Sequence, residues 1–175
     1  SVAGAMMYLK VSDGIYFEVG GTSTNIGVIR RGLPTIKYAE IGGHRTYVSS
    51  LDVRVLGVAG GSMVRFNNGQ IVDVGPRSAH IAGLLYSVFA KPEDIVDPIL
   101  EKMQPKPGDP SDYVVIRSAS GARYAITNSC AANVLGYAQP GHHAYGNPEA
   151  ARHALEPRAR AAGKPVEGTA RAIPE

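Results

Sequence analysis

Apolar positions recur at three- and four-residue spacing over residues 2–10, which places Val2, Ala5, Met6 and Leu9 on one face and predicts a helix ending near Ser12-Asp13-Gly14. The period then drops to two. Aromatic and β-branched residues over 15–19, 25–30 and 34–39 predict a three-strand meander, with Gly32 free to take the positive φ of its second turn. Residues 51–58 alternate as a further strand. Residues 63–66 and 70–74 flank Asn67-Asn68-Gly69, whose Asn-Gly pair favours a tight hairpin. Helices are expected to cover both faces of this sheet. Candidates lie at 77–89 and 92–103, where helical spacing returns and Pro92-Glu93-Asp94 brings a proline and acids suited to a helix start. Residues 91–112 accordingly read as a helical insertion. Further on, 113–117 and 122–126 predict a hairpin about Ala119-Ser120-Gly121, and Thr127-Asn128 caps a helix running to about residue 135. Asn147 or Pro148 opens a helix to 162 that Gly163 closes, and 166–172 adds one or two turns.

Composition narrows the class. A chain of 175 residues is expected to form a single domain over 1–175, and at this size folding buries about 70% of the surface the unfolded chain exposes. Hydrophobic residues at 44% and charged residues at 19% exclude a disordered chain, and 21 Gly with 12 Pro fit a turn-rich α/β domain. The formal charge of +3 is small, and basic residues are dispersed apart from Arg30-Arg31 and the arginines of 152–160, so no nucleic-acid partner is expected. The single cysteine, Cys130, excludes an internal disulfide and reads as a small buried hydrophobe. None of His44, His80, His142, His143 or His153 stands at a metal-ligand spacing. No apolar run reaches the length of a bilayer and no signal-peptide pattern opens the chain, so a cytoplasmic location away from membranes is expected. The first residue is Ser1, not Met, so a portion of a longer protein, or a processed or separately expressed lobe, is expected.

The candidate chemistry lies in the turn between the first two strands. Gly20-Gly21 bares backbone N–H groups, and Thr22, Ser23 and Thr24 add short hydroxyl donors, which together suit a phosphate. Glu18, just before the turn, is placed to orient water or a hydrated Mg²⁺. The same residues also form a tight hairpin that binds nothing. Gly57-Val58-Ala59-Gly60-Gly61-Ser62 is a second glycine-rich turn, open both to close approach by a nucleotide and to a structural bulge. Thr127 and Asn133 fit the same cleft, or equally an N-cap and a buried hydrogen bond.

Glu18-Val19-Gly20-Gly21-Thr22-Ser23-Thr24-Asn25 resembles the Asp-x-Gly-Gly-Thr-Ser-Thr-Asp signature of the hydantoinase/oxoprolinase family, whose ATP-binding core belongs to the actin, sugar-kinase and Hsp70 superfamily. Other segments agree in order. Ser1-Val2-Ala3-Gly4-Ala5 resembles the end of the small-residue helix that precedes the signature, and Leu56-Gly57-Val58-Ala59-Gly60-Gly61-Ser62 the Gly-Ala-Gly-Gly-Gly-Ser turn that follows it. Val74-Gly75-Pro76-Arg77-Ser78-Ala79 is similar to the Val-Gly-Pro-x-Ser-Ala element, and Ala125-Ile126-Thr127-Asn128 with 131–136 to the Thr-Asp-Ala and Leu-Gly stretch. The signature's two acidic positions are Glu18 and Asn25 here, and the third glycine of the downstream turn is Ala59, which would be strained in a left-handed conformation.

The resemblance implies an α/β fold with a ribonuclease-H-like mixed β-sheet flanked by helices, forming the C-terminal lobe of an actin-like ATPase core. ATP and Mg²⁺ are its implied cofactors. Gly20, Gly21, Thr22, Ser23 and Thr24, with Gly57, Gly60, Gly61 and Ser62, become phosphate-binding residues, and Glu18 and Asn25 orient the metal through water. The implied activity couples ATP hydrolysis to opening of a cyclic amide such as 5-oxoproline or a hydantoin, with an N-terminal lobe or partner subunit completing the site. The alternatives are a non-catalytic nucleotide-binding or regulatory module with a degenerate site, a ketone-carboxylase subunit, or a reactivating factor of the same superfamily.

Overall fold

The computed structural model describes residues 2–173; Ser1, the first residue of the segment compared with the small-residue helix, and residues 174 and 175 lie outside it. The chain divides into two compact units: residues 1–19 with 23–56, and residues 20–22 with 57–175.

The first unit opens with helix α1 (Val2–Leu9), as the apolar spacing predicts. Strand β1 (Gly14–Val19) then pairs antiparallel with β2 (Thr24–Arg30), in a register that sets Glu18 opposite Asn25 and Tyr16 opposite Gly27. The expected third strand at 34–39 is divided. A two-residue β3 (Leu33–Pro34) stays on β2, whereas β4 (Ile36–Ile41) leaves to form a separate hairpin with β5 (His44–Leu51) about Gly42-Gly43. Both turn glycines are left-handed, at φ 58° and 80°, so this hairpin had a local signal that the period-two reading passed over. The strand expected at 51–58 shortens to β6 (Val53–Leu56), on the edge of β2 opposite β1.

The second unit is built on a six-stranded mixed sheet. Its β7 (Ser62–Asn67) and β8 (Gln70–Ser78) form the hairpin predicted from Asn67-Asn68-Gly69, with Asn68 and Gly69 both at positive φ. Residues 77–103 depart from expectation. In place of two helices they form a short α2 (Ala79–Ala82), a two-residue β9 (Leu85–Tyr86), 3₁₀ turns at Ser87–Phe89 and Pro92–Asp94, and strand β10 (Ile99–Met103). The helical insertion over 91–112 is thereby replaced by a turn and a strand. Two causes can be named. Gly83 ends α2 in a left-handed cap at φ 69°, and the 99–103 segment pairs residue for residue with β11 (Tyr113–Arg117), a long-range ladder that local spacing does not report. Glu101 reinforces that ladder by bridging Arg117 at 2.6 Å and Arg123 at 3.1 Å. Strand β12 (Arg123–Ala125) completes the predicted hairpin with β11 and also pairs with β9, in parallel.

Three helices follow, each close to its predicted position: α3 (Asn128–Val134), capped by Thr127; α4 (Pro148–Ala162), capped by Asn147 and closed by Gly163; and α5 (Val166–Arg171). Strand alternation sorts the core into two faces. Val64, Phe66, Val114, Ile116, Tyr124 and Ile126 point to one side, where Leu155, Ala151 and Ile173 of the helical region meet them. Met63, Tyr113, Val115 and Ala125 point to the other, where Ala79, Ala82 and Leu84 are the main cover. Helices were expected on both faces, but the long ones lie on one.

Candidate functional site

The second unit takes in Gly20, Gly21 and Thr22 and packs them against its own glycine-rich turn. The Gly61 amide donates to the Gly21 carbonyl at 2.9 Å, and the Thr22 and Ser78 hydroxyls lie 2.9 Å apart. Behind them, Ser62 Oγ accepts from the Ala59 amide at 2.8 Å, and the Gly60 carbonyl accepts from both the amide and the hydroxyl of Ser129, at 2.8 and 2.9 Å. Asn128 Nδ2 donates to the Ala59 carbonyl at 3.1 Å. The turn at 57–62 is thus a junction that ties the Gly21 loop to the end of β8 and the start of α3.

Glycine is required there for space. A Cβ on Gly61 would stand 2.3 Å from the Gly21 carbonyl oxygen and 2.5 Å from the Tyr86 hydroxyl, and one on Gly57 would stand 2.5 Å from Pro76 Cβ. Gly75, at φ 84°, would carry a Cβ 2.2 Å from the Gly57 carbonyl oxygen. Gly21 is the opposite case. It is exposed, and an added Cβ would meet nothing within 4 Å. Among the described residues no backbone amide of residues 20–23 donates a hydrogen bond, so the N–H groups of this loop are open to an external acceptor.

The sequence-selected residues therefore separate by role. Gly20 and Gly21 are exposed and Thr22 is half-buried with its hydroxyl against Ser78, whereas Gly61 and Ser62 are buried, with the Gly61 N–H and the Ser62 hydroxyl already bonded inside the protein. Gly57 and Gly60 are partly buried in the same junction. Ser23, Thr24, Glu18 and Asn25 belong to the first unit. There Asn25 Nδ2 donates to Glu18 Oε2 at 3.3 Å, as their opposed register requires. Ala59 is buried and is not among the left-handed residues, so the strain that the lost glycine threatened does not arise. Among the described residues no three His, Cys, Asp or Glu side chains group as a metal site.

Other expectations resolve plainly. Cys130 is fully buried, with its sulfur 3.0 Å from Ser87 Oγ, and Thr127 is the N-cap of α3. Asn133 is a buried hub: its Nδ2 donates to the carbonyls of Ser129 and Ala144, and its Oδ1 accepts from Gly146 N. Ser78, Tyr86 and Ser129 surround the junction without having been selected from sequence. Ser78 alone had a signal, in the Val-Gly-Pro-x-Ser-Ala element.

A profile of hydantoinase/oxoprolinase proteins matches residues 1–175. The chain belongs to the hydantoinase/oxoprolinase family. Its fold is shared by solved structures of larger family-sized enzymes. A nucleotide-free acetone carboxylase, from a study of ATP-dependent acetone carboxylation, superposes with a TM-score of 0.60 at 19% identity over 97% of this chain. The ATP-dependent caprolactamase from Pseudomonas jessenii superposes with a TM-score of 0.58 at 24% identity over 98%. This hydantoinase/oxoprolinase chain spans only 20% and 21% of those two chains. No curated protein matches it. Among the described residues no helix is long and apolar enough to cross a membrane.

Proposed function

We propose that this hydantoinase/oxoprolinase chain supplies the phosphate-binding part of a larger cytoplasmic ATP-dependent enzyme that opens a cyclic amide, in a ribonuclease-H-like lobe of an actin-like core. The observation that carries the reading is the Gly20–Thr22 loop, whose amides are unpaired and whose Gly21 leaves open space while Gly61 holds its carbonyl from behind. Backbone N–H groups fixed in this way meet phosphate oxygens without reorganising, which is how a site lowers the barrier to phosphoryl transfer. Gly20, Gly21 and Thr22 are the direct phosphate ligands in this reading, with Ser23 and Thr24 as further donors; Gly57, Gly60, Gly61 and Ser62 position them. Mg²⁺ would be held by Glu18 and Asn25 through water, since one carboxylate and one amide suit a largely hydrated ion, and it would supply positive charge to offset that of the phosphates. A lactam, hydantoin or 5-oxoproline is the substrate class, and the remaining four-fifths of a neighbour-sized enzyme, as an N-terminal lobe or a partner subunit, would complete the site.

The test exploits the contrast between two glycines. Gly21→Val adds bulk where the structure has room, so it is expected to leave thermal stability unchanged while abolishing calorimetric binding of Mg-ATP by the product of the full reading frame. Lactam-dependent phosphate release should disappear with it. Undiminished Mg-ATP affinity in Gly21→Val refutes the assignment of the loop. Nucleotide binding without lactam-dependent turnover would instead favour a non-catalytic module, for which Asn25 in place of a second carboxylate is the supporting feature.

A further inference from the structure

Arg158 sits on α4 with its side chain nine-tenths buried, yet no carboxylate among the described residues pairs with it. Its guanidinium lies over the Phe66 ring, with Cζ 4.5 Å from the centroid, and Nη2 donates to the Gly69 carbonyl. Nε is buried with no partner. Burial depresses the Arg158 pKa, and no neighbouring charge opposes the shift. Burying a charge without an ionic partner is costly, which makes Arg158 a candidate to receive an anion.

That cation lines a cleft of about 750 Å³ formed by the β7–β8 hairpin and the ends of α4 and α5. Lys164, exposed and without an ion pair among the described residues, lines it too. The one acid in its wall, Asp73, is already paired with Arg65 at 3.2 Å. Asn128 contributes a buried Oδ1 that also has no partner. The cleft thus carries two uncompensated cations over an aromatic floor. We propose that it binds a small-molecule oxyanion, a phosphate or carboxylate group, gripped by Arg158 and Lys164. The Phe66 ring and the Gly69 carbonyl hold the guanidinium in place, and its remaining N–H groups are donors of the kind with which arginine recognises such groups. Lys164 adds a point charge at the rim. This site is separate from the Gly20–Thr22 loop.

The experiment is an amide NMR titration of the 175-residue chain with sodium phosphate and, separately, sodium acetate, against sodium chloride at equal ionic strength. Saturable shifts at Gly69, Gln70, Lys164 and the Arg158 side-chain Nε–H are expected with at least one oxyanion, and the tighter of the two identifies the group. Arg158→Met should weaken that binding at least tenfold and Lys164→Ala about threefold. Should Arg158→Met fail to fold, Lys164→Ala and Arg158→Lys carry the decision, both weakening binding. The proposal is overturned if neither oxyanion exceeds chloride at these residues, if the variants bind as the parent does, or if the shifts fall only on residues 20–22. That last outcome would leave the nucleotide reading intact, and loss of Mg-ATP binding in Gly21→Val would leave this one intact.

Discussion

Phe17 in the first unit and Ile116 in the second both stand on strands that alternate with period two, yet Phe17 is 65% exposed and Ile116 is fully buried. The contrast is general. Ile15, Val19, Tyr47 and Val55 of the first unit are all exposed, and Met6 and Ile29 are its only buried large apolar side chains among the described residues. In the second unit α3, α4 and α5 cover one sheet face and bury most of its large apolar side chains. A period-two pattern specifies which side of a strand is apolar; burial needs a second layer, and only one unit has it within these residues.

Truncations that probe the two units should differ several-fold. Ile116→Ala removes packed atoms from a fully buried site and is expected to lower stability by about 2–5 kcal/mol in urea denaturation. Next comes the junction. Gly61→Ala forces a Cβ against the Gly21 carbonyl and should cost about 1–3 kcal/mol, whereas Gly21→Ala, whose Cβ meets nothing, should stay within about 0.5 kcal/mol of the parent. Equal losses in this pair would mean that the Gly61–Gly21 contact does not hold the loop.

Acid titration also bears on the second unit. Hydrogen bonds from Arg65 to Asp112 and from Arg77 to Asp109 hold both carboxyls below the ordinary aspartate range. A depressed folded-state pKa means that the folded protein takes up these protons less readily than the unfolded chain. The stabilisation is therefore complete above the unfolded value, near 4, and fades as pH falls through the folded one. The urea midpoint should decline below about pH 4, and Asp112→Asn should flatten that decline. The smallest effect belongs to the uncovered face: Phe17→Ala should change stability by less than about 0.5 kcal/mol. A loss comparable to that of Ile116→Ala would show that Phe17 is buried in solution and that the comparison fails.

Interactions that span a few residues were legible along the chain. Asn67-Asn68-Gly69 gave its hairpin, and Thr127, Asn147 and Gly163 their helix ends, because caps and tight turns are decided by the backbone's immediate neighbours. Pairings across long separations were decided only in three dimensions. Residues 99–103 have helical spacing but become a strand because β11 offers a complete ladder, and Gly61 is constrained by a carbonyl 40 positions upstream, at Gly21. Arg158 over Phe66, like the meeting of Thr22 with Ser78, has no periodicity to announce it. A sequence records what each residue prefers locally; which distant group completes its hydrogen bonds, fills its space or leaves its charge unpaired is fixed when the layers close.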